Sequence, residues 1–218
     1  RTHGAFGLVV GVRRAQCEAM EATRPLSETV RPTARHLPEQ PGSASAKLRV
    51  IWTGPVAAAL AVLTVSGAGE DDLLAYLLLC LPVMYLAIAV TERKWTSWPL
   101  VITVLVGYKL VELLGVDPAP VLVVVGLILV VVGLVRGSLR RPGLRAFQAP
   151  ALAVFGGAAL IALYASPETA LYTVAVGLLA HAAWDALHWW RGEVVSSSVT
   201  QWCMVFDTGV GLGVLVLL

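Results

Sequence analysis

The chain has 218 residues, of which 57% are hydrophobic and only 14% charged, with a formal net charge of +2 and a mean hydropathy of +0.78. An average soluble domain carries about a quarter charged residues, so this composition excludes a domain wetted on all sides. No strongly basic balance points to nucleic acid as a partner. Cys17, Cys80 and Cys203 lie far apart without a C-x-x-C pair, which argues against a disulfide framework or a zinc ribbon.

Residues 1–47 contain Pro25, Pro32, Pro38 and Pro41, scattered arginines and glutamates, and a closing "PGSASAK". Such a segment buries too little apolar surface to offset its chain entropy, so a disordered cytoplasmic tail is expected there. Its "AFGLVVGV" is too short and wrongly flanked for a signal peptide. Met20 opens "MEATRPL", and residues 1–19 are expected to be upstream translation or the edge of a fragment.

Seven apolar runs follow, at about 48–67, 73–91, 98–116, 119–136, 150–166, 168–190 and 199–218. Each is long enough for a hydrocarbon layer ~30 Å thick, and none alternates as the strands of a membrane barrel do. The expected fold is all-α: a polytopic bundle of about seven transmembrane helices over 48–218. Basic residues gather in the tail and in the second, fourth and sixth connectors, as Arg93 and Lys94, as Arg136, Arg140, Arg141 and Arg145, and as Arg191. The odd connectors carry Glu70, Asp71, Asp72, Asp117 and Glu168 instead. This asymmetry predicts a cytoplasmic N-terminus in a cell inner (plasma) membrane, crossed several times. Trp52, Trp95, Trp98, Trp189, Trp190 and Trp202 fall at the same predicted cytoplasmic interface.

Few ionisable groups remain at membrane depth: Lys109, Glu112, His181, Asp185, His188 and Asp207. Each costs a few kcal/mol in lipid (~2.5–3.5 on insertion scales), so these groups should face the interior and find partners. His181, Asp185 and His188 stand at i, i+4 and i+7, which makes one stripe on span six. Trp184 flanks the stripe, and Gly177 lies one turn above it, where a neighbouring helix can come close. On span seven, Thr200, Cys203 and Asp207 form a second stripe. A rise of ~1.5 Å per residue puts Asp185, His181 and Asp207 in one layer of the cytoplasmic half, with His188 nearer its boundary.

Three readings compete for this constellation. Two imidazoles and two carboxylates, from His181, Asp185, His188 and Asp207, can ligate zinc, iron or manganese with a position left for water. The same His–Asp pairs can be buried hydrogen bonds that only fix packing. They can also form a proton or ion path. The spacing matches no H-E-x-x-H motif and is not specific. Lys109 and Glu112, at i and i+3 on span three, are expected to form an internal ion pair. Glu92 could approach His188, although a solvated interfacial role suits it better.

Spans one, four and five are almost wholly apolar, which makes a charged channel a poor fit and a lipid-like substrate entering sideways a better one. Arg136, Arg140, Arg141 and Arg145 are first a topology signal, with binding of anionic lipid head groups as the alternative. Ser196, Ser197 and Ser198 read as a helix start, with no histidine base at recognisable spacing.

"HAAWDALHWW" and "SSSVTQWCMVFD" together resemble an uncharacterised family of small bacterial integral-membrane proteins. Its signature is H-x-x-W-D-x-x-H-H, then Ser-Ser, then Cys and an Asp four residues later. His181, Trp184, Asp185, His188, Ser197, Ser198, Cys203 and Asp207 match it. Trp189 stands in place of the second histidine, and the family's Pro-rich linker is absent. The resemblance implies no activity, but it does imply that the two stripes form one unit. Seven-helix zinc hydrolases of membranes are similar in type only, because this chain lacks their H-x-x-x-H pair.

The leading expectation is a metal-dependent membrane enzyme acting on a lipid or other apolar substrate. In it His181, Asp185 and Asp207 would be ligands or acid–base groups, His188 a further ligand, and Cys203 a neighbour. A proton-coupled transporter or membrane sensor is the second expectation, and a structural membrane subunit the third.

Overall fold

A computed structural model describes residues 44–66 and 72–218, with residues 44–52 as backbone alone. The expected tail up to residue 43, its start at Met20, Cys17 and the side chain of Trp52 lie outside the described residues. Seven α-helices are present among the rest: α1 (Ala44–Ser66), α2 (Leu73–Thr91), α3 (Ser97–Leu113), α4 (Pro118–Val135), α5 (Gln148–Tyr164), α6 (Pro167–Arg191) and α7 (Ser197–Leu217). Short 3₁₀ turns at Lys94–Thr96, Ser138–Arg140 and Leu144–Phe147 join them. No strand occurs among the described residues. Helices α2 to α7 are long and apolar enough to cross a membrane, and the described apolar part of α1 is Thr53–Ser66. The architecture is that of an all-helical, multi-pass membrane protein.

The ends of these helices follow from local chemistry. Asp117 accepts the Ala119 N–H (2.9 Å) and so caps α4, whose first residue is Pro118; proline suits that position because the missing N–H has no intrahelical partner there. The same Asp117 accepts the Tyr76 hydroxyl (3.0 Å), which ties the start of α4 to α2. Helix α6 also begins on a proline, Pro167, and stops at Gly192, whose N–H bonds to the His188 carbonyl (2.8 Å).

Helix α2 is the axis of the bundle and packs against α3, α4, α5 and α6. Its apolar side chains are buried all round, Leu78, Leu86 and Ile88 completely. Helices α6 and α7 make the most extensive pairing, and α1 lies against the other side of α7. The outer faces of the bundle carry exposed Leu113, Val135, Val154 and Val216. A soluble monomer rarely shows so much apolar surface; hydrocarbon solvates it. With no hydrophobic force between helices in lipid, close approach depends on small residues. A Cβ on Gly177 would stand 2.6 Å from Leu78 Cδ2, and one on Gly211 would stand 2.9 Å from Leu179 Cγ and 3.1 Å from the Ala175 carbonyl. These two glycines let α6 close on α2 and on α7.

Candidate functional site

The close approaches bring polar groups from three helices together. His181 and Asp185 come from α6, Asp207 from α7 and Tyr85 from α2, and all four are fully or almost fully buried. His181 Nδ1 lies 2.8 Å from Asp207 Oδ2 and 3.4 Å from Asp185 Oδ2. The Tyr85 hydroxyl donates to Asp185 Oδ1. The four side chains thus form one chain, Tyr85–Asp185–His181–Asp207.

Aromatic edges enclose the imidazoles. The Tyr85 ring sits edge-on between His181 (centroids 5.2 Å apart) and His188 (5.1 Å), and Phe155 of α5 meets His181 at 5.1 Å. Three polar atoms of the cluster have no hydrogen-bond partner among the described residues: His181 Nε2, Asp185 Oδ2 and Asp207 Oδ1. Unmade bonds on buried polar atoms cost about 1–3 kcal/mol each, and more on charged groups. This concentration in one place calls for a partner such as a cation, a water or a proton. One ligand atom from each of His181, Asp185 and Asp207 falls within a group 4.8 Å across.

His188 belongs to a different set of bonds. Its Nδ1 donates to the Trp184 carbonyl (2.9 Å), and its Nε2 accepts from Gln148 Nε2 (2.9 Å). Gln148 in turn donates to the Leu144 carbonyl (2.9 Å). Both ring nitrogens are therefore engaged, and His188 ties α6 to the start of α5. Trp184 packs edge-on against His188 (4.8 Å). Cys203 is a buried free thiol on α7, one turn before Asp207. Thr200 is also buried, and its hydroxyl bonds back to the Ser197 carbonyl (3.0 Å).

Lys109 and Glu112 do pair, at 2.6 Å, but their side chains are 51% and 44% exposed. The pair lies on the outside of α3 and not in the interior, because a helix of this bundle edge turns that face away from α2. Glu92 reaches Arg141 (3.1 Å) and Arg145 (3.6 Å) and not His188. Arg136 and Arg140 are exposed. The serine triplet docks α7 on the start of α3: the Ser196 N–H donates to Ser97 Oγ, and Trp98 Nε1 donates to Ser198 Oγ, both at 3.1 Å.

An apolar cavity of about 260 Å³ adjoins the cluster, with walls from α1, α2, α3 and α7. Among the described residues, Asp207 is its one ionisable wall residue. Sequence reasoning missed Tyr85, Gln148 and Phe155. A tyrosine in mid-span was the available signal for the first, since a buried hydroxyl needs a partner.

No protein-family profile, curated protein or solved structure matches the chain.

Proposed function

We propose that this is an inner-membrane protein of seven spans with a cytoplasmic N-terminus, and that His181, Asp185 and Asp207 hold a divalent metal for chemistry on a lipid or other apolar substrate. One observation carries the reading: two buried carboxylates and one buried imidazole each offer a ligand atom within 4.8 Å of one another, and each of the three side chains also has a polar atom without a hydrogen-bond partner among the described residues. A single histidine compensates two buried carboxylates poorly, whereas a dication would neutralise both. Zinc, iron and manganese all accept imidazole and carboxylate ligands, and three protein ligands leave a position for water or substrate. Bound there, the metal would activate that water or polarise a substrate oxygen.

The chain's own residues have separate tasks in this reading. Tyr85 orients Asp185 through its hydroxyl, and Phe155 with the Tyr85 ring keeps bulk water out. His188 positions α6 through Gln148. The basic connectors at one end of the bundle support the orientation, and exposed Arg136 and Arg140 suit anionic lipid head groups. We take the last two spans to belong with the small bacterial membrane proteins they resemble, on the match of His181, Trp184, Asp185, Cys203 and Asp207; that likeness brings no activity with it.

A second reading, a proton-coupled transporter or sensor, is favoured by the close sequence of groups from Tyr85 to Asp207, two hydrogen bonds joined by the 3.4 Å approach of Asp185 to His181, since neighbouring carboxyl, imidazole and phenol groups can pass protons. Metal content of detergent-purified protein separates the two. Near-stoichiometric metal, lost in His181→Ala and Asp207→Asn but kept in His188→Ala, is the expected result. A well-folded wild type that stays empty after metal is added back defeats the metal reading, and pH-dependent flux in liposomes, abolished by Asp185→Asn, then becomes the deciding measurement.

A further inference from the structure

The buried polar side chains are unevenly spread along the bundle. Apart from the Tyr85–Asp185–His181–Asp207 cluster, the buried serine, threonine, glutamine and histidine residues among the described residues are Ser97, Ser138, Gln148, His188 and Thr200. All five lie towards the end where α6 stops and α3, α5 and α7 start, the end of the arginine-rich connector. On the other side of the cluster the buried neighbours are apolar, with Leu78 on α2, Leu178 on α6 and Val210 on α7. A cation crossing protein at membrane depth needs polar partners along its way. One end of the bundle therefore offers a route to the cluster and the other does not.

A series of bonds marks that route. The Glu193 carboxylate, half-buried just past the end of α6, accepts the Leu144 N–H (2.8 Å). The Leu144 carbonyl accepts from Gln148 Nε2 (2.9 Å), and the same amide donates to His188 Nε2 (2.9 Å). His188 lies about 10 Å from His181 along α6 at a rise of ~1.5 Å per residue. The Tyr85 ring beside it carries the hydroxyl bonded to Asp185. The mouth is tightly built: a Cβ on Gly143 would stand 2.5 Å from Glu193 Oε2. Val194, next to Glu193, is a β-branched residue at φ 62°, an outlying backbone state of the kind that gathers at clamps and switch segments. Around it, Arg141 and Arg145 turn to Glu92, and Lys94 donates to the Gly192 carbonyl. The narrow point is the Gln148–His188 contact, which joins two side chains and can part without breaking a helix.

We propose that cations reach the His181–Asp185–Asp207 cluster from the end of the bundle that carries the arginine-rich connector, past Gln148 and His188, whose hydrogen bond is the gate. The use of the route rests on the metal reading above. The route itself is a separate property of the fold, and it is read without any bound metal.

The test uses the full-length, chelator-treated protein in detergent and 2-aminoethyl methanethiosulfonate, a small cation that caps thiols as mixed disulfides. Cys203 is the reporter: it is completely buried, one turn before Asp207, and within hydrogen-bond reach of Tyr85. Cys80, equally buried on α2, lies about 8 Å beyond Tyr85 towards the apolar end and reports general loosening. Capping of each thiol is followed in time by mass spectrometry, and each is compared with itself across variants. Gln148→Ala should cap Cys203 several-fold faster than wild type and leave Cys80 unchanged. Gln148→Leu, which refills the gap with hydrocarbon, should slow Cys203 several-fold. Misfolding only exposes thiols, so that slower rate cannot come from a protein that fails to fold. Leu178→Ala, which opens space on the apolar side, should change neither rate appreciably. Acceleration of Cys203 by Leu178→Ala and not by Gln148→Ala would put the entry at the opposite end and overturn the proposal. So would unchanged rates in both Gln148 variants, a Cys203 that stays uncapped in wild type and Gln148→Ala alike, or a parallel rise at Cys80 and Cys203. Metal content, measured on untreated protein, is a separate result: an empty wild type with the expected capping rates would remove the metal reading and keep the route.

Discussion

Over their most apolar 18 residues, helices α2 and α4 have similar mean hydropathies, 2.5 and 2.8, yet 83% of that stretch of α2 is buried inside the protein and only 28% of that of α4. In water such a difference would show as a polar face on the outer helix. In a membrane both faces of α4 can be apolar, because hydrocarbon is the solvent on one side and protein on the other. What distinguishes the two helices is side-chain size and polarity, not hydropathy. Helix α4 turns Ala119, Gly126 and Gly133 inward and leaves Val124, Leu127, Ile128 and Val131 to the lipid. Helix α2 carries large buried residues on all sides and one mid-span hydroxyl, Tyr85, that is bonded to Asp185.

Breaking the buried polar chain that α2 helps to hold should have the largest effect. His181→Ala removes the partner of two buried carboxylates, and loss of one member of a buried ion pair costs about 3–5 kcal/mol. Thermal unfolding in detergent should show a large drop in midpoint. Replacing His181 and Asp207 together by leucine should recover part of that loss, since it removes a charge along with its partner; a double variant less stable than His181→Ala would mean that the pair is not coupled.

The α2–α4 comparison itself is sharpened by a matched pair of truncations. Leu86→Ala in α2 leaves a cavity around a fully buried side chain and should cost about 2–5 kcal/mol. Leu127→Ala in α4 removes a side chain that is 57% exposed and should stay within about 0.5 kcal/mol. Equal losses, measured by the same unfolding assay, would show that the outer face of α4 is covered, by a second copy or another subunit.

Gly177→Val is next in size. The added Cβ would meet Leu78 at 2.6 Å, an overpacking that costs about 1–3 kcal/mol, and it would push α6 away from α2 so that Tyr85 no longer reaches Asp185. Leu78→Ala in the same protein should restore much of the stability. Failure of that rescue would place the damage elsewhere than in the α2–α6 contact.

The helices were legible because each needs a long apolar run between charged connectors, and the runs read from the sequence coincide closely with α2 to α7. The meeting of His181, Asp185 and Asp207 was legible too, since helical spacing fixes the face and the rise fixes the depth. The bonding of His188 was not: i, i+7 spacing puts it on the same stripe as His181, but only the position of Gln148, forty residues earlier, decides which partner it finds. Likewise the i, i+3 spacing of Lys109 and Glu112 predicts their pairing and says nothing about which way α3 is turned. Periodicity gives the geometry of one helix; the rotation of each helix in the bundle comes from packing of small residues such as Gly177 and Gly211.

That rotation gives the smallest prediction, which contrasts an outer ion pair with the inner one. Lys109 and Glu112 sit in the last turns of α3, about 18 and 22 Å from Ser97 at a rise of ~1.5 Å per residue, so their charged ends can reach the membrane surface at that end of the helix. An exposed pair is worth about 0.2–1 kcal/mol, far below the buried His181–Asp207 contact. Lys109→Met should therefore shift the unfolding midpoint only slightly, and by less at high salt, where exposed charges are screened. A loss as large as that of His181→Ala, insensitive to salt, would mean that this face of α3 is buried against a partner in the membrane, because only a pair withdrawn from both water and counterions responds in that way.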